Sequence, residues 1–285
     1  MKIFSVVNDV ARKELDLIAE HGQSFYIQTE EGDVVFDFGK TKSTLLHNLK
    51  TLQLSLDNVD KFVLSHAHYD HSGGLEAVLE LKKKATLYAH PDIFRPRYSL
   101  REGKYQSIGL SVDQATLARR TRLILSDQPI EIVPHLWTSG GIRHRDKPVG
   151  SSPHLYVKEA ESWIPDLYLD DLSLVYQRKE GLIVICGCCH AGLLNTLFQV
   201  KQQFNQPILA TFGGLHLLNA SDEYLQHILS VLETHFGGIS FYVNHCTGEN
   251  AIEKLGTTLG NRLHTFPAGS VIKIDSHLVE IQNGC

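Results

Sequence analysis

The chain has 285 residues, 42% of them hydrophobic and 21% charged, with a formal net charge of -5; these are ordinary globular values, long enough for a sizeable core in one large α/β unit or two domains. They do not suggest a nucleic-acid binder with a basic face, and the acidic balance without a basic arm argues against long nucleic acid as substrate. No stretch approaches the roughly 18 apolar residues of a membrane span, and the opening MKIFSVV is too short for a signal peptide before Asn8 and Asp9 interrupt it, so a cytoplasmic location away from membranes is expected.

Taken along the chain, Ser24 to Gly39 (SFYIQTEEGDVVFDFG) predicts a hairpin, with a Glu-Gly-Asp turn before the strand Val34 to Phe38. Thr44 to Leu54 has helical spacing at Leu45, Leu46, Leu49 and Leu52. The short strand KFVLS then delivers the chain into HAHYDHSGG, and Gly73-Gly74 opens the helix LEAVLELKKK, whose Lys82-Lys83-Lys84 end reads as a solvated terminus. Thr86 to His90 is a further strand. The segment from about 91 to 152 carries several Pro, Arg and Gly residues and is expected to be an irregular insertion or cover over the site. From Ser173 the pattern returns: the hairpin SLVYQRKEGLIVICG turns at Lys179-Glu180-Gly181, and GLLNTLFQVKQQF is a helix. PILATFGG is a strand, SDEYLQHILSVLETH a helix with Ser221 as N-cap, and ISFYVNHCTG a strand. Strand, polar or glycine turn, helix is thus used in both halves, and the turns carry histidines.

Histidine is the unusual residue, with sixteen in the chain. His66, His68, Asp70 and His71 fall within six positions between a strand and a Gly-Gly helix start, where loop backbone lets all four turn inward. Imidazole nitrogen and carboxylate oxygen suit zinc, iron or manganese, and four such groups are used more naturally by two metals about 3.5–4 Å apart than by one. His190, in GCCHAG after LIVIC, is the strongest candidate for a further ligand. Its neighbours Cys188 and Cys189 are packing residues or, for one of them, a contact to the metal. The five cysteines are an odd number and three fall within Cys186 to Cys189, which fits reduced thiols rather than a disulfide framework. His216, in GGLHL, is expected as a pocket acid, hydrogen-bond donor or phosphate contact. His245, in NHCTG, is expected as a ligand, with Cys246 pointing away into packing. Asp37 on the strand DVVFDFG is either a turn cap or the acceptor that fixes a ligand imidazole's tautomer. His21, His47, His135, His144, His154, His227, His235 and His264 have no comparable context and are read as structural.

HAHYDH after an apolar strand, FDFG upstream and single histidines at later strand ends resemble the metallo-β-lactamase superfamily of dinuclear metal hydrolases. Within it the chain is most similar to the branch of 7,8-dihydropterin-6-methyl-4-(β-D-ribofuranosyl)-aminobenzene-5'-phosphate synthase-like proteins, through AEHGQSFYIQTEEGDVVFDFGKT, VLSHAHYDHSGGL, YAHPDIFRPRYS, LDDLSLV, GCCHAGLLNT, GGLHL and HCTG in that order. The resemblance implies an α/β fold of the αββα four-layer sandwich type over residues 1–285 as a single domain. It also implies that His66, His68 and His190 hold one divalent metal, and Asp70, His71 and His245 the other. Zinc is the first expectation, with manganese, iron or nickel as alternatives. Many members have a bridging aspartate in a Gly-Asp motif; here Gly187-Cys188 stands at that strand end, so the bridge is missing or replaced, and Cys189 stands where the branch usually has serine.

The implied activity is hydrolysis, or a lyase or synthase reaction, by a metal-activated hydroxide on a small phosphate-bearing molecule. Asp70 would orient the hydroxide, His216 would stabilise the developing oxyanion or bind phosphate, and Arg95, Arg97 and Arg143 are candidate phosphate contacts. Phosphodiester, lactone or β-lactam cleavage is the alternative within the fold. From another class come a non-catalytic ligand-binding protein and an iron redox or sensor protein; flavin-linked di-iron relatives typically carry Glu where this chain has His68. A homo-oligomer is compatible with all of these.

Overall fold

A computed structural model describes residues 1–82, 84–150, 152–274 and 279–282; Lys83 of the basic cluster lies outside the described residues. The chain forms two compact units, the first made of Met1–Ser126, His154–Asp166 and Pro267–Cys285, the second of Asp127–Pro153 and Leu167–Phe266.

The larger sheet of the first unit has, among the described residues, the spatial order Val279–Gln282, Val271–Ile274, Lys2–Val7, Ser24–Thr29, Gly32–Phe36, Val59–Val63, Thr86–Ala89, Arg122–Leu125. Pairing is antiparallel as far as Gly32–Phe36 and parallel beyond it. Parallel neighbours need crossovers, and helices supply them. Lys42–Thr51, N-capped by Thr41, lies between the strands Gly32–Phe36 and Val59–Val63, and Leu75–Leu81 precedes Thr86–Ala89. Leu45, Leu49, Leu75 and Val78 from these helices share one core with Val35, Phe62, Leu64 and Leu87 from the strands. The predicted hairpin is present, but its turn sits at Glu30-Glu31, because Gly32 already pairs with Thr29 in the ladder.

The stretch 91–152 is regular where the sequence suggested irregularity. It holds the strands Arg97–Arg101, Lys104–Ser107, Arg122–Leu125, Glu131–Val133 and Leu136–Thr138 and the helix Gln114–Arg120. Arg97–Arg101 and Lys104–Ser107 join Leu155–Glu159 and Ser162–Pro165 in an antiparallel four-stranded sheet of the first unit. The alternation in RYSLR is real, but the buried positions are Arg97 and Ser99, so an apolar pattern does not reveal it.

The second unit carries a seven-stranded sheet in the order Leu263–Thr265, Ser240–Val243, Ile208–Gly213, Leu182–Cys186, Ser173–Gln177, Leu136–Thr138, Glu131–Val133. The first four strands are parallel and the rest antiparallel. The helices Leu193–Phe204, Asp222–His235 and Glu249–Leu259 make the parallel crossovers. Asp222–His235 is capped by Ser221 and buries Leu225, Ile228, Leu229 and Leu232, a stripe at helical spacing. Each such side chain contributes roughly 1.5–3 kcal/mol of burial. Val184, Phe241, Leu194 and Leu255 continue that core. The molecule is therefore of mixed α/β class with sheets flanked by helices, as the sequence predicts. No helix among the described residues is long and apolar enough to cross a membrane.

Candidate metal centre

In open parallel sheets, ligand-binding groups gather beyond the carboxyl ends of the strands, and both units follow this rule. In the first, the chain leaves Val59–Val63, passes Ser65 and His66 as non-helical loop, and enters the short helix Tyr69–Ser72 at His68. The two glycines that follow are required by close packing. A Cβ on Gly73 would lie 1.9 Å from the Lys40 carbonyl oxygen, and one on Gly74 would lie 2.1 Å from that of Phe38.

Asp37 organises this group. It adopts the left-handed conformation, φ 61°, and is fully buried. Its Oδ1 accepts the Ser65 backbone N–H at 2.7 Å, and its Oδ2 accepts the Ser65 hydroxyl at 2.7 Å and lies 2.6 Å from His71 Nδ1. A carboxylate has only lone pairs to offer, so His71 donates from Nδ1 and carries its own lone pair on Nε2. Ser65 has given its single hydroxyl proton to Asp37, so at 2.8 Å from His66 Nδ1 it can only accept. His66 is therefore also protonated at Nδ1 with a lone pair on Nε2, which lies 3.2 Å from His68 Nδ1. The His66 and His71 ring centroids are 4.2 Å apart. Burial, reinforced by His71 and His68, pushes the His66 pKa well below its ordinary value, so the imidazole is a neutral donor.

Asp70 is buried with Oδ2 3.9 Å from His71 Nε2 and 3.3 Å from His21 Nε2. His21 reaches Asp9 Oδ2 through Nδ1 at 3.1 Å, and Asp9 Oδ1 accepts the Gly22 N–H at 3.0 Å. His21, read from sequence as structural, thus stands between two carboxylates, one of them a predicted ligand. Its signal was the AEHG stretch before the hairpin; Asp9 gave none, because its partner lies twelve residues away.

In the second unit the registers Cys186↔Gly213 and Gly213↔Val243 bring three parallel strand ends level, so the loops that follow converge. Ligand atoms of Cys188, His190 and His216 lie within 4.8 Å of one another, and those of Cys188, His245 and Cys246 do likewise. Cys189, His216 and His245 all have positive φ, 56°, 50° and 45°. Left-handed backbone at non-glycine positions concentrates at functional loops. The His190 ring stacks on Tyr168 at 4.3 Å and lies 4.1 Å from the His216 ring. Asp171 Oδ2 accepts the Ala191 N–H at 2.8 Å, fixing the loop that carries His190, and burial pushes the Asp171 carboxyl up to about 6. The buried Nδ1 of His216 has no hydrogen-bond partner, while its Nε2 lies 3.2 Å from Ser152 Oγ.

The three thiols differ. Cys189 packs with Cys186 in the core, and that contact together with burial raises its pKa well above the ordinary thiol value. Cys188 faces the histidines. Cys246 does not point away into packing as expected: its Sγ accepts the His216 N–H at 3.3 Å and belongs to the Cys188–His245 group.

The arginines are engaged elsewhere. Arg95 pairs with Glu159. Arg97 is 1% exposed and directs its guanidinium to Asp92 Oδ2 and Asp166 Oδ2, each at 2.9 Å. Arg143 pairs with Asp127 and lines a cavity of about 320 Å³ with Gln199 and Gln203. The donor chemistry of both groups, buried imidazoles with a carboxylate in one and imidazoles with thiols in the other, fits one or two divalent metals of the transition series.

Residues 18–161 match the model of a family described as the metallo-beta-lactamase superfamily. The chain is 28% identical to the 7,8-dihydropterin-6-methyl-4-(beta-D-ribofuranosyl)-aminobenzene-5'-phosphate synthase of Methanocaldococcus jannaschii, over 96% of each chain. An uncharacterized protein of the same organism is 30% identical over 94% of this chain and 97% of its own length. Among solved structures, Tm1679, a metal-dependent hydrolase of the beta-lactamase superfamily, superposes with a TM-score of 0.82 at 26% identity, over 97% of this chain and all of that one. Zinc-bound PqqB from Methylobacterium extorquens shares the fold, with a TM-score of 0.58 at 11% identity over 96% of this chain and 100% of that one.

Proposed function

Because this chain belongs to the metallo-β-lactamase superfamily, we propose that it is a hydrolase, or a lyase or synthase of related chemistry, that uses two divalent metals on a small phosphate-bearing molecule. The observation that carries this reading is the proton arrangement at Asp37 and Ser65, which leaves the lone pairs of His66 and His71 on Nε2 in a buried setting beside Asp70. Following the resemblance, His66, His68 and His190 would hold one metal and Asp70, His71 and His245 the other, with zinc the first expectation. Bound there, the metals would supply Lewis acidity and bring the ionisation of coordinated water toward neutral pH.

The chain's own residues have separable tasks. Asp37 and Ser65 fix the tautomers of His66 and His71. His21 bridges Asp9 and Asp70 and so sets the orientation of the Asp70 carboxylate. His216, with Nδ1 unpartnered, is suited to donate to an anionic oxygen of the substrate. A cavity of about 280 Å³ lined by Gly150, Ser152, His216, Asn219, Tyr224 and Cys246 would receive the part of the substrate that does not react. Similarity to a synthase whose name carries a 5'-phosphate supports the phosphate-bearing class.

The test is turnover of a chromogenic phosphodiester and a phosphomonoester by purified protein, before and after chelation and with zinc or manganese restored. Metal-dependent release of the chromophore is expected, and its loss in His66→Ala. Chelation without effect on turnover would remove the metal from the chemistry.

A further inference from the structure

Two sulfur atoms stand among the imidazoles of the second unit. Cys188 Sγ, Cys246 Sγ and a ring nitrogen of His245 lie within 4.8 Å of one another, close enough to meet on a single ion. We propose that Cys188 and Cys246 are sulfur ligands of the metal that His245 holds, so that this site takes a thiophilic ion, zinc or cobalt, in preference to manganese or magnesium. The inference rests on the reading that His245 holds a metal, and it adds the identity of further donors and the class of ion.

Three features show that the sulfurs are built into the site. First, a Cβ on Gly214 would lie 2.6 Å from Cys246 Sγ and 2.8 Å from the Gly187 carbonyl oxygen, so the glycine opens the space that the sulfur enters. Second, Cys246 Sγ accepts the His216 backbone N–H at 3.3 Å, an interaction that favours electron density on sulfur. Third, neighbouring Cys189 is turned into the core against Cys186, which separates a packing thiol from the site-facing Cys188. Two sulfurs and one imidazole are donors that zinc accepts readily. Soft donors of this kind discriminate against hard oxygen-seeking ions.

The probe is cobalt(II) alone, added to metal-free full-length protein, with near-ultraviolet thiolate-to-cobalt charge-transfer absorption and cobalt stoichiometry read together. Wild type should show the absorption, Cys246→Ser and Cys188→Ser should each lose about half of it, and Cys189→Ser should keep it. Cys246→Asp guards against misfolding: it should retain bound cobalt while its sulfur absorption falls. Cobalt bound by wild type without any charge-transfer absorption would overturn the proposal, even at about two ions per chain, a stoichiometry that would leave the dinuclear reading standing. Full absorption with only one ion per chain would support the sulfur ligands while removing the dinuclear reading.

Discussion

Asp37 shows how a single carboxylate sets the chemistry of two imidazoles. It accepts two hydrogen bonds from Ser65 and one from His71, and Ser65 passes the constraint on to His66. Asp37→Asn replaces an acceptor-only group by one that must present an N–H either to Ser65 or to His71, both of which are donors. Metal affinity is expected to fall about 10–100-fold, measured by competition with a chromophoric chelator. Asp171 makes a pH-dependent prediction. Burial raises its folded-state pKa to about 6 from an ordinary 3.8, so the folded chain holds this proton more tightly than the unfolded chain. Its contribution is neutral below about pH 4, where both states are protonated, turns into a growing penalty between about pH 4 and pH 6, where only the unfolded chain is ionised, and levels off above that at up to about 3 kcal/mol. Asp171→Asn keeps an acceptor for the Ala191 N–H and removes the ionisation. The stability of the variant relative to wild type, from urea titrations of metal-free protein, should therefore increase between pH 4 and pH 7; an unchanged difference would contradict the assignment. The ligand candidates themselves were legible because a histidine at the end of an apolar strand is a local pattern. Asp171 was not, since its partner Ala191 is twenty residues away, and neither was the inward turn of Cys246, which depends on Gly214 from another strand end.

At the scale of elements, the site depends on turns with no room for a side chain. The helix Leu75–Leu81 begins after Gly73 and Gly74, which pass against the carbonyls of Lys40 and Phe38 at distances that exclude any Cβ. Gly73→Ala must move backbone against backbone, and is expected to cost more than about 4 kcal/mol or to prevent folding. Chemical denaturation beside Gly103→Ala checks this, since nothing lies within 4 Å of a Cβ at Gly103; its positive φ of 73° limits that variant to conformational strain. Equal losses in the two variants would show that close approach is not the cause. The hairpin, the crossover helices and the strands ending in histidine were legible from period and capping signals. The sheet containing Arg97–Arg101 was not, because its inward positions are an arginine and a serine; Arg97 is held by Asp92 and by Asp166, sixty-nine residues further on. Ion pairs between distant residues leave no periodic trace in a sequence.

For the whole molecule, the first unit is assembled from three separate stretches of chain, and its strand Lys2–Val7 pairs both with Ser24–Thr29 and with Val271–Ile274. That long-range pairing has no local signature, which is why MKIFSVV reads from sequence only as an apolar run. The two candidate ligand groups are likewise written far apart, His66 to His71 in one unit and Cys188 to Cys246 in the other, and each is legible on its own. The central claim is that both groups hold metal. It is tested most directly by elemental analysis of purified wild type beside His68→Ala and His245→Ala, one variant at each proposed metal. About two metals per chain in wild type, reduced in both variants, is the predicted result. Metal retained at the wild-type level in both variants would contradict the account.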